Sequence, residues 1–283
     1  VKEPQAAELP LLRDNTLITF LHLAAHPRLA DALVAAGTTA VSYDTIQDDR
    51  GALPLLAPMS AIAGRLAAIE GAHHLLRSGG GAGVLLSGAP GARGGRVLVL
   101  GVGVAGEQAS AQALALGAEV VALDLSEGRL RAVARLHPGL QTRLSTPQVV
   151  AEEVAAADLV VGAVLDPGRP APMVVTRAMV ESMQPGRVLV DIAIDQGGCL
   201  EVSAPTTHAD PVREVAGALV YAVANMPAAA GVTATRALAG AVLPTVLALA
   251  SGSDEALRAD PALRRGVNVT GGRIVHPDVA QAL

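Results

Sequence analysis

Short apolar runs alternate along the chain with longer segments in which apolar and polar residues mix at helical spacing. This alternation of strand-like and helix-like segments predicts an α/β fold built on a parallel, doubly wound sheet. The predicted strands are residues 18–23, 97–101, 119–124, 159–164, 188–193 and 219–223.

One helix is predicted over residues 60–77. Ser60 is a suitable N-cap residue, and Pro58 just before it marks the boundary. The neighbouring residues His73 and His74 lie inside this helix, and we expect them on a solvated face. The glycine-rich residues 78–95 that follow predict a loop that leads into the second predicted strand.

The longest apolar segment is residues 232–250, and it also predicts a helix. It contains Arg236 and Pro244, so a buried or linking helix is favoured over a membrane span. No secretory signal is visible, and no membrane partner is expected.

Composition narrows the class of protein. Half of the 283 residues are apolar but only 1% are aromatic, so alanine, valine and leucine must fill the core. Such a core suits helices packed closely on a parallel sheet. The net charge of −5 excludes a basic footprint for nucleic acid. The single cysteine, Cys199, excludes an internal disulfide, and a cytoplasmic location is expected.

Glycines follow the second predicted strand in RVLVLGVGVAG, residues 96–106. In a dinucleotide-binding turn the first glycine (here Gly101) allows the tight bend, the second (Gly103) leaves room for a pyrophosphate, and the third (Gly106) lets the helix pack on the strand. The next strand, EVVALD, ends at Asp124, where a carboxylate can bind the ribose hydroxyls and disfavour NADP. The motif predicts NAD as cofactor; an ordinary surface aspartate is the alternative for Asp124.

Two further residues are candidates for the chemistry. Asp195 follows an apolar strand in IDQGG, residues 194–198, where a catalytic carboxylate and a turn-capping one are equally consistent with the pattern. His22 in TFLHLAA has the right chemistry for proton transfer, and a core histidine satisfied by the backbone is the alternative. His22 and His26 have the i, i+4 spacing of metal ligands, but Pro27 interrupts the helix and no third ligand is near, so no metal is expected.

Several blocks together resemble the alanine dehydrogenase/transhydrogenase family over nearly the whole chain. They are VKEP at 1–4, FLHLAA at 20–25, LPLLAPMS at 53–60, GVGVAG at 101–106, ALDLS at 122–126, GAVL at 162–165, VDIAIDQGGC at 190–199, APTTH at 204–208 and VANMP at 223–227. The resemblance implies two Rossmann-like domains. An NAD domain at 55–230 would be inserted in a discontinuous substrate domain made of 1–54 and 231–283.

The resemblance also implies an activity, the reversible oxidative deamination of L-alanine to pyruvate and ammonia with NAD. Lys2, which spacing alone does not single out, would bind the substrate carboxylate or carbonyl oxygen. His22 would be the acid/base, and Asp195 would orient and help activate the water or ammonia. Met59 and Asn225 would border the substrate.

A larger set of residues is expected to contact NAD. It comprises Ser60, Gly101, Gly103, Val104, Gly106, Asp124, Arg129, Ser145, Val164, Leu165, Asp195, Val223, Asn225 and Met226. The resemblance implies a homo-oligomer as well, typically a hexamer.

Two of the chain's departures from the family pattern bear on the substrate. The family has a segment ahead of VKEP with an arginine that clamps the substrate carboxylate, and we expect it to belong to the protein outside this chain. Polar residues that the family has after VANMP are replaced here by AAAGVTATRALAGAV, residues 228–242, which leaves a different amino-acid substrate open. The sequence is also compatible with an NAD(H)-binding module like that of transhydrogenase and with a relative that keeps the fold without activity.

Overall fold

The computed structural model describes residues 2–283, which form two compact units. The first unit combines the chain up to Met59 with Asp166–Pro170 and Val232–Leu283. The second unit comprises Ser60–Leu165 and Ala171–Gly231.

The secondary structure follows the predicted α/β alternation. The helices are α1 Pro27–Ala35, α2 Ala57–Leu75, α3 Val104–Ala115, α4 Glu127–Leu136, α5 Pro147–Ala156, α6 Arg177–Glu181, α7 Gly231–Ser251, α8 Ser253–Ala259, α9 Pro261–Arg265 and α10 Pro277–Ala282. The strands are β1 Thr16–Thr19, β2 Thr39–Ser42, β3 Arg96–Leu100, β4 Glu119–Asp124, β5 Gln141–Leu144, β6 Leu159–Gly162, β7 Val188–Asp191, β8 Val212–Val215, β9 Ala218–Tyr221, β10 Val267–Thr270 and β11 Arg273–Ile274. Short 3₁₀ segments are Leu9–Leu12, Leu23–Ala25, Arg77–Gly79, Ile192–Gln196 and Met226–Ala230.

The second unit contains a seven-stranded sheet in the order β5-β4-β3-β6-β7-β9-β8. All neighbours are parallel except the edge strand β8, which pairs antiparallel with β9. Along β3, Val97 and Val99 belong to one apolar cluster, and Leu98 and Leu100 belong to another. Both faces of the sheet are therefore buried under helices, which confirms the predicted doubly wound fold.

The first unit contains a four-stranded sheet in the order β1-β2-β10-β11. Strands β1 and β2 are parallel, and β10 and β11 continue the sheet in antiparallel fashion. Strand β1 ends at Thr19, earlier than predicted. The reason is that the Leu21 N–H donates to the side chains of Ser42 and Asp44 instead of a neighbouring strand, and His22 has a left-handed backbone with φ 45°.

Helix α2 begins at Ala57, so Ser60 lies inside the first turns and is not the N-cap that the sequence predicted. Pro58 is tolerated there because the first N–H groups of a helix have no intrahelical partner. The predicted solvated face was also wrong for one histidine. His74 is buried, and its Nδ1 lies 3.0 Å from the carbonyl oxygen of Gly79.

Helix α7 confirms the predicted long helix, but much of its apolar surface is exposed. Val232, Leu243 and Leu247 are each more than half exposed. The segment Met226–Ser251 is long and apolar enough to cross a membrane by length and composition, and only 11% of its most apolar 18-residue window is buried within the structure. Of the two predicted alternatives, a buried helix and a linking helix, this exposed surface contradicts the first.

Candidate functional site

The glycine turn follows β3 at the carboxyl edge of the second unit's sheet. Gly101 has φ +89°, and its N–H donates to the carbonyl oxygen of Leu123 at 2.7 Å. A Cβ at Gly106 would lie 1.8 Å from the Gly101 carbonyl oxygen, so α3 can pack here only with glycine. A Cβ at Gly103 would meet no atom within 4 Å, so the space in front of the turn is open.

Helix α3 starts directly from this turn. Gly103 is its N-cap residue and offers no side chain to the first N–H groups of the helix. Uncapped N–H groups and the positive end of the helix dipole form a site for a phosphate group. The turn therefore fits the pyrophosphate of a dinucleotide.

Asp124 ends β4 beside the turn. Its Oδ2 accepts the Val102 N–H at 2.9 Å, and its Oδ1 accepts the Ser126 N–H at 2.8 Å. The residue is only 8% exposed, so the alternative of an ordinary surface aspartate is wrong. A carboxylate has about four lone-pair sites, and two N–H groups leave capacity for ribose hydroxyls.

The residues predicted near the adenosine lie around Asp124. The Ser145 N–H donates to the Asp124 carbonyl oxygen at 2.9 Å, and the Arg129 N–H donates to Ser126 Oγ at 3.3 Å. Two apolar residues predicted to contact NAD, Val104 and Leu165, have exposed side chains.

The remaining predicted NAD contacts differ in exposure. A Cβ at Gly101 would lie 3.2 Å from Val164 Cγ1, which puts Val164 beside the turn. The side chains of Val223 and Met226 are buried in the apolar core, so only their backbone atoms are available to a ligand. Ser60, in α2, is partly buried.

Asp195 lies in the 3₁₀ segment after β7, and Asn225 lies in the loop after β9. Because β7 and β9 are adjacent and parallel, these two loops are neighbours at one edge of the sheet. The Asp195 carboxylate accepts the Asn225 N–H, with distances of 3.2 Å to Oδ1 and 3.1 Å to Oδ2. Asn225 has φ 53°, a conformation that asparagine tolerates better than most residues. The structure thus brings together two of the predicted site residues.

Asp191, which the sequence analysis missed, ends β7 and is fully buried. Burial raises the pKa of its carboxyl group, and hydrogen bonds from Ser203, Cys199 and Leu200 oppose that rise. Burial and the nearby Asp191 charge raise the pKa of the Cys199 thiol well above its ordinary value. The sequence did contain a signal for Asp191, because an acidic residue at the end of an apolar strand is unusual enough to be considered as a site residue.

In the first unit, His22 is buried between two carboxylates. Its Nδ1 lies 3.8 Å from Asp44 Oδ2, and its Nε2 lies 3.8 Å from Glu3 Oε1. The ring stacks on Phe20 with centroids 5.9 Å apart. Within residues 2–283, Nδ1 has no hydrogen-bond partner, so the alternative of a core histidine satisfied by the backbone is wrong.

Glu3 connects the charged residues around His22. Its Oε1 lies 3.3 Å from Lys2 Nζ and 4.0 Å from His26 Nε2. The structure therefore places two of the predicted site residues, Lys2 and His22, beside one carboxylate that the spacing did not single out. The two histidines do not share a helix face, because a 3₁₀ turn separates His22 from α1.

Asp44 is a further residue that the sequence analysis missed. Its Oδ1 accepts the Leu21 N–H at 3.1 Å and the Ser42 hydroxyl, which leaves Oδ2 towards the imidazole of His22. Met59 packs against the apolar cluster of the first unit that contains Phe20.

Doubly wound sheets that carry such a glycine turn and such an aspartate bind dinucleotides, and this chain is of that class. The chain belongs to the alanine dehydrogenase/PNT family. Residues 1–63 match the family model described as "Alanine dehydrogenase/PNT, N-terminal domain", and residues 67–277 match "Alanine dehydrogenase/PNT, C-terminal domain".

Similar proteins extend the match over the whole chain. "Alanine dehydrogenase" of Halomonas elongata is 50% identical over 285 residues, which cover 100% of this chain and 77% of that protein. "Alanine dehydrogenase" of Bacillus subtilis is 46% identical over 287 residues, covering 100% and 76%. A solved structure of "L-alanine dehydrogenase" has a TM-score of 0.88 and 45% identity, covering 99% of this chain and 78% of that one.

Proposed function

We propose that this chain is an NAD-dependent L-alanine dehydrogenase, which catalyses the reversible oxidative deamination of L-alanine to pyruvate and ammonia. The observation that carries this proposal is 50% identity with a named alanine dehydrogenase across the full chain, both domains included. The second unit would correspond to the NAD domain (55–230) and the first to the substrate domain (1–54 and 231–283).

The cofactor fits the second unit. The glycine turn would hold the pyrophosphate, and Asp124 would accept hydrogen bonds from the ribose hydroxyls. Its negative charge opposes the extra phosphate of NADP. Bound NAD supplies the acceptor for the hydride of the alanine Cα. The remaining proposed contacts are Ser60, Val104, Arg129, Ser145, Val164, Leu165, Asp195, Val223, Asn225 and Met226.

A small set of side chains would bind and convert the substrate. The ammonium group of Lys2 would bind the substrate carboxylate or carbonyl oxygen. His22 would carry a proton to and from the reacting oxygen or nitrogen, with Asp44 facing its other ring nitrogen. Asp195 would orient the water or ammonia, and Asn225 with Met59 would border the substrate.

The test is spectrophotometric. The purified protein should reduce NAD with L-alanine and oxidise NADH with pyruvate plus ammonium. His22→Ala should lower kcat about a hundredfold or more while NADH binding, followed by fluorescence, stays within about twofold. No turnover with any small amino acid or 2-oxo acid, in a protein that binds NADH, would overturn the proposal.

A transhydrogenase-like module makes a different prediction in the same experiment. "Transhydrogenase from Sinorhizobium meliloti" matches 97% of this chain with a TM-score of 0.73 but only 27% identity, so such a module has less support. It would bind NADH, show no alanine-dependent turnover and co-purify with a membrane partner. A panel of larger amino acids tests whether the altered residues 228–242 change the substrate.

A homo-oligomer, expected to be a hexamer in the cytoplasm, completes the proposal. The exposed apolar side chains of α7, among them Leu243 and Leu247, support it because such surfaces are normally covered. Light scattering of the purified protein tests the stoichiometry. A monomer would contradict the oligomer, and recovery only in the membrane fraction would contradict the location.

A further inference from the structure

The Asp191 carboxylate accepts five hydrogen bonds. Its Oδ1 accepts the Ala193 N–H at 3.0 Å and the Cys199 thiol at 3.3 Å. Its Oδ2 accepts the Cys199 N–H at 2.9 Å, the Leu200 N–H at 3.3 Å and the Ser203 hydroxyl at 2.6 Å. Hydrogen bonds to an ionised acceptor are the strong ones in proteins, so this fully buried group is a strong anchor.

All five donors come from the segment directly after β7, residues 192–203, which we call the anchored segment. The donors lie between 2 and 12 positions beyond Asp191, so the segment folds back on the end of its own strand. Gly198 permits this with φ +83°, and a Cβ there would lie 2.9 Å from Asp191 Oδ2. One carboxylate thus holds both the start and the end of the segment.

Asp195 lies in the middle of the anchored segment. It is partly exposed, and its carboxylate accepts the Asn225 N–H from the loop after β9. The direction of the Asp195 side chain depends on the backbone of residues 192–196. The conformation of that backbone depends on the hydrogen bonds to Asp191.

We propose that Asp191 is a positioning residue for the dehydrogenase, acting through Asp195: it holds the anchored segment so that the Asp195 carboxylate stays against the loop of Asn225. This inference rests on the proposed function for its kinetic consequence, and its structural part is independent of it. Asp191→Asn would disrupt the anchor, because either amide orientation puts an NH₂ group against at least two donors.

The first experiment measures the anchor without any activity. Cys199 is the single cysteine of the chain and is buried, so its reaction with dithionitrobenzoate reports opening of the anchored segment. Ser203→Ala removes one bond to Oδ2 but keeps the Asp191 charge, and it should raise the reaction rate about tenfold. Asp210→Asn, an exposed carboxylate of the same unit, is the matched control and should not change it. An unchanged rate in Ser203→Ala would overturn the anchor.

The second experiment is a kinetic double-mutant cycle with Asp191→Asn, Asp195→Asn and the double variant, at a temperature where all are folded. Asp191→Asn should lower kcat about tenfold to a hundredfold, and its KM for NAD should change no more than that of Asp195→Asn. In the Asp195→Asn background the same change should add less than about twofold, because both act through one group. An equal loss in both backgrounds would mean a structural role only.

A variant that does not fold and a failure of the proposed function can both be distinguished from a failure of the anchor. If Asp191→Asn does not fold, Ser203→Ala replaces it in the double-mutant cycle. The loss of kcat should then be smaller, and it should again nearly disappear in the Asp195→Asn background. If the wild-type protein shows no turnover with any amino acid, the proposed function fails, whereas the Cys199 reaction rate still decides whether Asp191 anchors the segment.

Discussion

The Nδ1 atom of His22 faces the Oδ2 atom of Asp44 at 3.8 Å, although His22 follows β1 and Asp44 follows β2. The other oxygen of Asp44 is held by the Leu21 N–H and the Ser42 hydroxyl, so the carboxylate cannot turn away. A fixed carboxylate beside a ring nitrogen keeps an imidazole oriented.

We therefore expect Asp44→Asn to lower kcat about tenfold to a hundredfold. The amide keeps the size of the side chain and one acceptor for the Leu21 N–H, so the thermal midpoint should change little. Asp31→Asn, on the exposed face of α1, is the control and should leave kcat unchanged. Steady-state kinetics measures kcat in both variants. A wild-type kcat in Asp44→Asn would show that this carboxylate does not contribute to catalysis.

The glycine turn offers a matched pair of alanine substitutions. Gly106→Ala should destabilise the protein by about 1–3 kcal/mol or more, because its Cβ would overlap the Gly101 carbonyl oxygen. Gly103→Ala meets no protein atom, so it should keep the thermal midpoint and weaken NADH binding about tenfold or more. Calorimetry and NADH fluorescence separate the two effects. Unchanged NADH affinity in Gly103→Ala would mean that the pyrophosphate does not rest on this turn.

Asp124 should determine the preference between the two nicotinamide dinucleotides. In Asp124→Asn, one of the N–H groups of Val102 and Ser126 faces an NH₂ group and loses its acceptor, the other keeps only a neutral acceptor, and the negative charge that opposes a ribose phosphate is removed. The KM for NAD should rise about tenfold, and the discrimination against NADP should narrow. Glu127→Gln, exposed in the first turn of α4, is the control. If the ratio of the KM for NADP to the KM for NAD were unchanged from wild type, that result would contradict this role.

Glu153 should make stability depend on acid pH. Burial by itself would raise its pKa, but hydrogen bonds from Arg96 at 2.7 Å and Arg143 at 2.6 Å outweigh burial and hold the pKa below its ordinary value of 4.5. A carboxyl group with a lowered pKa stabilises the folded protein above its unfolded-state pKa, and that contribution is lost as the pH falls through the folded-state pKa.

Glu153→Gln should accordingly lower the free energy of unfolding by about 1–3 kcal/mol at neutral pH. The difference from wild type should shrink as the pH is lowered from about 5 to about 3. Glu152→Gln, which breaks an exposed ion pair with Arg143, should cost about 0–1 kcal/mol. Urea unfolding at several pH values measures this, and a pH-independent difference would refute the assignment.

Much of the second unit was predictable because its signals are local. The apolar run before Gly101 predicts a buried strand, and the glycine spacing predicts the tight turn, since both depend on backbone conformation within a few residues. The limits of the helices were less predictable. Helix α2 starts at Ala57 rather than after Ser60, because proline is tolerated in a first helical turn.

By itself, the sequence determined the α/β class, the mainly parallel pairing of the large sheet, the dinucleotide turn and the family, because short patterns of residues indicate each of them. Only the tertiary structure decided the surroundings of His22 and the anchor at Asp191. Glu3 precedes β1 and Asp44 follows β2, and no local pattern reports which distant carboxylate the fold brings to a ring nitrogen. Likewise, the sequence does not distinguish Asp191 from other acidic residues. Only the fold buries it and brings five hydrogen-bond donors to its carboxylate.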